Sequence, residues 1–525
     1  MDPATPDPQG YVTDVAYLPG TYPFMAPDRI RYVASLNGIT PPPVRDGFRY
    51  LELGCGFGST LLALAAANPR GRFVGVDFMP VHTDALRAEA AAAGLDNLEV
   101  LCADFAAMPA DLPAFDFIVM HGVFSWVSAD LRSHILDIVG RHLAPGGIVE
   151  VSYNTLPGWS SLLPVRSLLR HFAARAEGDS LAKARTALET VTALRKADVP
   201  VFHDQPLAAQ LVDRLLLADP RYVAHEYLND HWTAFESGDV VRMFAGRGIG
   251  YAGRLPAYRN HLAFSVQPRF AGQFVGLDDA ERESLKDLHD NTMFRWDLYS
   301  RTPRRDWTPR ERVEASDGIW FRIASPTASL PHTVVYGQIT AGLAGPPHDR
   351  MLELMGHSSW TLQMLLDEPA LSHLPPEAIV EAVDDAVAMG LFRVDGGAVV
   401  DGVGDGDTLA AGPLVIPAAF NRRMIERQEL VNTKVGLASL RTGGPHDLGD
   451  LHAMALEELV ARGRRGLESR LGGRLAALDK HLREHATGRL LSAAEGDSAM
   501  AEIVAEFVAK VLPELVRVGI VEAAG

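Results

Sequence analysis

The sequence predicts an α/β protein: a doubly wound parallel sheet with a helical insertion, followed by an α+β C-terminal region of winged-helix-like units. Three observations predict it. Five short apolar runs are separated by helix-forming stretches, the first of them runs into the glycine turn Gly54-Cys55-Gly56-Phe57-Gly58, and the polar residues of this half collect where the runs end. Alternating strand and helix closes right-handed into a parallel sheet, which binds ligands at the carboxyl edge of its strands.

The first strand, Tyr50-Leu51-Glu52-Leu53, is followed past the glycines by a helical run from Thr60 to Ala67. Glycine lacks a Cβ and tolerates positive φ, so this turn lets backbone N–H groups approach a ligand closely. The second strand, Phe73-Val74-Gly75-Val76, ends in Asp77, where a doubly wound nucleotide fold places the acid that grips a ribose. The third, 98–102, runs into Ala103-Asp104-Phe105, the fourth, 115–120, into His121-Gly122, and the fifth, 148–152, into Tyr153-Asn154.

These residues resemble the class I methyltransferases, Rossmann-like proteins that use S-adenosyl-L-methionine. A dinucleotide-binding dehydrogenase has the spacing G-x-G-x-x-G, whereas this turn reads G-x-G-x-G with an acid, Glu52, two residues before it. The resemblance implies that Gly54, Gly56 and Gly58 meet the methionyl end of the cofactor, that Asp77 takes the ribose hydroxyls, and that Asp104 and Phe105 bind adenine. Glu52, Cys55 and Phe78 complete the expected cofactor contacts, and no metal is implied.

Further segments narrow the resemblance to methyltransferases with a "methyltransferase regulatory domain", whose best-known members are the rickettsial-type outer-membrane-protein lysine methyltransferases. They are the arm with Tyr17, Pro27-Asp28-Arg29, 121–127, 151–159, 222–229 and 294–299. One departure is Ala26, where the family often has histidine. The implied activity is methylation of a protein or peptide lysine. A small-molecule or peptide O- or N-methyltransferase is the alternative, and a non-catalytic adaptor with a vestigial cofactor site is a third reading.

Tyr11, Tyr17 and Tyr22 precede the first strand. They are either a lid, with Tyr17 and Tyr22 giving hydroxyls to the cofactor, or an aromatic tail on the sheet edge. His121 lies where the methyl donor should point and either lines the acceptor pocket or offers only its carbonyl. With Trp126, Tyr153 and Asn154 it makes up the candidate catalytic set, the two larger rings being able to hold a cation by π contact or to form the core rim. The Asn/Asp-Pro-Pro-aromatic motif of adenine N6 methyltransferases is replaced by His121-Gly122-Val123-Phe124, which disfavours base methylation.

The expected organisation is an arm or lid (1–47), a cofactor-binding core (48–159), a helical insertion with the last core strands (160–325) and two winged-helix-like units (330–407 and 408–525). The strands proposed inside the insertion are 250–253 and 296–299. The first unit reads as helix, turn, helix and then a closing hairpin. His225-Glu226 with His231 lacks the i, i+4 spacing of a zinc protease and reads as helix surface. Gly356-His357-Ser358 lacks the second glycine of a nucleophile elbow.

Sixty-six acids against 49 bases give a net charge of −17, which excludes a general attraction to nucleic acid or anionic membrane and suits a cationic partner. Within 351–400 the acids are Glu353, Asp367, Glu368, Glu377, Glu381, Asp384, Asp385 and Asp395 against Arg393 alone. That is the wrong sign for phosphate, so the C-terminal units are expected to make protein contacts or a homodimer. Cys55 and Cys102 read as small buried residues in a reducing compartment. The proline-rich start (1–10) reads as disordered and not as a signal peptide; with no apolar run of spanning length, a cytoplasmic protein is expected.

Overall fold

The computed structural model describes residues 10–324, 329–356, 358–427, 434–484 and 489–524. The expectations for residues 1–9 and His357 lie outside them. Helix α1 (Pro27–Leu36) precedes β1 (Arg49–Leu53), α2 (Ser59–Ala67), β2 (Arg72–Asp77), α3 (Pro80–Ala92), β3 (Leu98–Cys102), β4 (Phe115–Met120), α4 (Ala129–His142) and β5 (Leu143–Asn154). The insertion follows as α5 (Leu163–Ala173), α6 (Ser180–Lys196), α7 (Pro200–His203), α8 (Pro206–Leu215), α9 (Pro220–Tyr227) and α10 (Ser237–Ala245). The chain then re-enters the sheet as β6 (Gly250–Leu255), α11 (Asp279–Asp290) and β7 (Phe294–Ser300).

The sheet order is β3-β2-β1-β4-β5-β7-β6. The first five strands are parallel, and β7 lies antiparallel between β5 and β6. Both short stretches at 250–253 and 296–299 are therefore its last strands. Side chains alternate between the two faces of a strand. Leu51 and Leu53 face α4 and α10, packing with Ile135, Val139, Val240 and Phe244. Tyr50 faces α1 and α2, packing with Ile30, Val33, Leu61 and Leu64. Helices α5 to α9 have a core of their own around Trp159, Val165, Leu169, Val191 and Val223.

The C-terminal region departs from expectation in order and in packing. After α12 (Pro309–Ala315) come β8 (Trp320–Ile323), β9 (His332–Tyr336), β10 (Ile339–Leu343), α13 (His348–Met355), α14 (Leu362–Asp367), α15 (Pro376–Ala388) and β11 (Phe392–Asp395). The hairpin β9–β10 stands before the helices, and β11 pairs back antiparallel to β8. The chain's final strand, Glu522–Ala523, likewise pairs back to Leu414–Val415. Residues 343–392 share the apolar cluster of α1 and α2, and Tyr32 Oη and Arg312 Nη2 donate to Asp384 Oδ1 at 2.8 and 2.9 Å. Most buried apolar residues between Val399 and Val521 form a separate core, while Phe420 and Ala438 join the first cluster; the hairpin at 434–449 is set on α2, where Asn68 Nδ2 donates to Gly443 O at 2.7 Å. Cys55 is buried, but Cys102 is exposed, because β3 is the edge strand of the sheet.

On the α10 and α11 side of β6 and β7 the sheet buries charge. Arg295, fully buried, donates to Asp297 Oδ1 at 2.9 Å, Asp287 Oδ1 at 2.8 Å and Glu283 Oε2 at 2.8 Å. Arg254 reaches Asp287 at 3.2 Å, Lys286 reaches Glu283 at 3.1 Å, and the Tyr153 hydroxyl donates to Asp297. Three cations thus face three carboxylates. Burial alone would push Glu283 up, but Lys286 and Arg295 hold it well below the usual carboxylate range. Removing one partner of a buried pair strands its counter-charges at about 3–5 kcal/mol. Arg295→Met is therefore expected to lower the urea midpoint by that equivalent, and a midpoint at the wild-type concentration would show the cluster to be energetically idle.

Candidate active site

The carboxyl edge of β1, β2, β4 and β5 opens on a cavity of about 480 Å³ that continues into a smaller one of about 100 Å³; both are lined by Gly54, Asp77, His82, Gly122, Trp126 and Tyr11. Gly54 has φ 75° and no room for a side chain, since a Cβ there would lie 2.3 Å from Val123 Cγ2. Gly56, at φ 53°, has open space where its Cβ would stand, so a ligand can approach its backbone closely.

Asp77 is held by its neighbours. Its Oδ2 accepts from Gly56 N–H at 2.9 Å and its Oδ1 from Met79 N–H at 2.9 Å, with His82 Nδ1 at 3.3 Å. Glu52 is buried beside it, its Oε2 without a partner among the described residues, and burial and the Asp77 charge push its carboxyl up to about 8. Cys55 and Gly58 line the larger cavity with Glu52. Phe78, Asp104 and Phe105 line the smaller one, where Asp104 caps the turn that follows by accepting from Ala106 N–H at 2.7 Å. An apolar slot with an acid at its rim, next to a carboxylate fixed by backbone donors and a glycine cradle, fits adenine, ribose and the methionyl chain of S-adenosylmethionine in turn. The unpartnered Glu52 oxygen suits a cationic group there.

His121 stands in a cage of rings. Its centroid is 4.1 Å from Tyr22, 5.3 Å from Phe24, 6.0 Å from Phe294 and 6.5 Å from a parallel Trp296. Burial lowers its pKa to about 4, and Nδ1 has no partner among the described residues, so it is a neutral imidazole at physiological pH. Trp126 and Asn154 line the same cavity, each with a buried nitrogen that has no partner among the described residues, and Asn154 Oδ1 accepts from Trp159 Nε1 at 3.0 Å. Tyr153 is not in the cavity wall. It follows the strand alternation to the opposite face, packs on Phe235 and binds Asp297, which corrects its place in the candidate set.

The tyrosine arm crosses the cavity. Tyr11, Tyr17 and Tyr22 all line it, and the arm backbone is fixed from both sides: Val12 N–H and Val15 O bond Asn229 and His225 at 2.8 Å, while Tyr17 and Tyr22 N–H donate to His82 at 3.4 Å and Thr60 at 2.9 Å. The arm is thus a roof as well as a packed tail. The reading of His225-Glu226 as helix surface is overturned, because both line the cavity. His225 is buried, and Glu226 Oε1 accepts from Tyr17 Oη at 2.8 Å. Sequence reasoning also missed His82, Tyr222 and the rings of Phe294 and Trp296; the alternation along β7 carried a signal for the last two. No group of three His, Cys, Asp or Glu side chains that could hold a metal occurs among the described residues.

Comparison with known proteins agrees with this geometry. The family described as "Methyltransferase domain" matches residues 51–147, and the "Predicted methyltransferase regulatory domain" matches 219–301. An uncharacterized protein of Rickettsia prowazekii is 30% identical over 41% of this chain and 86% of its own length. One of Synechocystis sp. is 29% identical over 61% of this chain, which spans 64% of that relative's length. The structure of PKMT2 from Rickettsia typhi in complex with AdoHcy aligns over 96% of this chain and 99% of that one, with a TM-score of 0.67 at 18% identity. The chain belongs to the class I S-adenosylmethionine-dependent methyltransferases that carry a methyltransferase regulatory domain.

Proposed function

We propose that this chain transfers a methyl group from S-adenosylmethionine to a lysine amine of a protein or peptide in the cytoplasm. One observation carries the reading. The larger cavity is walled by aromatic rings and three carboxylates, Glu52, Asp77 and Glu226, and no Lys or Arg is among its lining residues. Such a site favours cations, which suits a sulfonium cofactor and an amine acceptor, and disfavours the anionic backbone of nucleic acid. When bound, the cofactor supplies an electrophilic methyl that the acceptor nitrogen takes while the C–S electron pair stays on sulfur. The chain's own part is to hold: Asp77 the ribose hydroxyls, Asp104 and Phe105 the adenine, Glu52 and the glycine turn the methionyl end. The cage of Tyr22, Phe294, Trp296 and neutral His121 positions the acceptor and keeps water out, and positioning supplies most of the acceleration in such a displacement. The free thiols of Cys55 and Cys102 accord with a reducing compartment.

Calorimetric titration of S-adenosylmethionine into wild type and Asp77→Ala tests the cofactor assignment. Loss of two hydrogen bonds to a charged acceptor should weaken binding by roughly a hundredfold or more. Mass spectrometry of a lysate incubated with labelled cofactor should then find label on protein lysine. Label in small molecules alone would favour the biosynthetic alternative, and a wild type that does not bind the cofactor would leave only the non-catalytic reading.

The same carboxylates make stability depend on pH. Burial raises Glu52 to about 8 and Glu226 to about 7, and burial with the Glu52 charge raises Glu150, whose two oxygens are buried and unpartnered, well above its ordinary value. A carboxyl whose folded pKa lies above its unfolded one stabilises the fold fully at acid pH, and that contribution is lost as pH rises through the folded value. The melting temperature of the ligand-free protein should fall between pH 6 and pH 9, and less steeply in Glu52→Gln. Equal slopes in the two proteins would show that Glu52 is ionised throughout.

A further inference from the structure

Glu226 is a carboxylate supplied to the cavity by the regulatory-domain segment, and neither cofactor holding nor the cage uses it. It is half-buried on α9, lines the larger cavity and accepts one hydrogen bond, from Tyr17 Oη at 2.8 Å. No Lys or Arg makes an ion pair with it among the described residues. The second carboxylate oxygen therefore keeps its acceptor capacity toward the cavity, while its side of the wall is otherwise Tyr11, Tyr22, Tyr222 and His225. His225 cannot serve as the counter-ion: its Nε2 faces Val15 O at 2.8 Å, and burial lowers its pKa to about 4. His121 in the cage is neutral for the same reason. An acid flanked by aromatic rings, with no Lys or Arg paired to it among the described residues, is the complement of a cation carried on an apolar stem.

We infer that Glu226, oriented by Tyr17, is the acceptor-binding residue of this enzyme: it pairs with the ammonium of a lysine side chain whose methylenes lie against the rings, and it takes the proton that nitrogen must lose. This rests on the methyltransferase reading above and names the group that makes the acceptor an amine. The acceptor enters as R–NH3+, one proton passes to a Glu226 oxygen to give R–NH2 and the neutral acid, and the freed lone pair takes the methyl. The product is R–NH2CH3+, and Glu226 returns its proton to solvent water. Tyr17 is a positioning residue, since it touches Glu226 and not the amine. The arm is thereby coupled to acceptor choice, because Tyr17 and Val15 both hold the pair on α9.

The test uses the full chain saturated with S-adenosylhomocysteine, with n-butylammonium as the probe and the quenching of tryptophan fluorescence as the readout, Trp126, Trp159 and Trp296 all lining the cavity. Wild type should bind n-butylammonium at least about tenfold tighter than 1-butanol, and Glu226→Gln should lose most of that preference while binding the alcohol as wild type does, as expected for a charge-assisted hydrogen bond. Tyr17→Phe should lose part of it. S-adenosylhomocysteine affinity within about twofold of wild type in Glu226→Gln shows that the fold and the nucleotide site are intact. Equal binding of n-butylammonium to wild type and Glu226→Gln, or a wild type that prefers butanol, overturns the inference and leaves the methyltransferase reading standing. A wild type that binds no S-adenosylhomocysteine defeats that reading and this inference together.

Discussion

The register of β7 between β5 and β6 is the constraint on which the remainder of the structure depends. Alternation sends Arg295, Asp297 and Tyr299 to one face and Phe294, Trp296 and Leu298 to the other. The first set enters the buried charge cluster with Glu283 and Asp287, and the second supplies two rings beside His121 and a residue of the apolar cluster under α1. A slip by one residue would put Arg295 among apolar side chains and Trp296 among carboxylates, so every alternative pairing is penalised twice. The cluster contributes little net stability by comparison with an apolar core of the same shape. Its value is positional: the contacts that fix α11 against β7 also set the rings around His121.

The carboxylates of the cavity are satisfied to different degrees, and the differences follow the parts they take. Asp77 is bonded by two backbone N–H groups, an arrangement that fixes a single orientation. Among the described residues, Glu52 has a buried oxygen with no partner, and Glu226 accepts from the Tyr17 hydroxyl. Groups left unsatisfied in the ligand-free protein cost stability there, and a cation offsets that cost on arrival. Binding and proton release are linked by the same argument, because a cation next to Glu52 lowers a carboxyl that burial holds near 8.

What could be read in the sequence was what is local. The five parallel strands, the glycine turn and Asp77 at the end of β2 follow from apolar runs and from glycine's access to positive φ, and they set the sheet and the nucleotide edge. Of two adjacent residues such as Tyr153 and Asn154, a strand can aim only one into a cavity; the choice of Asn154 is made by Asp297, more than 140 positions away in the chain. Glu226 was illegible for a related reason. On α9, a short helix with Pro220 in its first turn, it looks like any surface acid, and what buries it is an arm more than 200 positions earlier. The order of the C-terminal hairpin was misjudged because strand pairings such as β8–β11 are set by partners on either side of three helices, which periodicity does not reveal.

The arm joins the sheet core to the regulatory-domain segment. Its backbone and Tyr17 tie His82 and Thr60 of the core to His225, Glu226 and Asn229 of the regulatory-domain segment. Thr21 meets the C-terminal hairpin, where a Cβ on Gly436 would stand 2.4 Å from Thr21 Oγ1. Three separate regions therefore hold the arm that carries Tyr17. An ion pair at 4 Å is worth about 1 kcal/mol in water and about 4 kcal/mol at the effective dielectric of a protein site. On the proposed reading, the roof would convert a carboxylate that hardly distinguishes an amine from an alcohol into one that can, and the selectivity would belong to the assembled arm and insertion more than to the side chain itself.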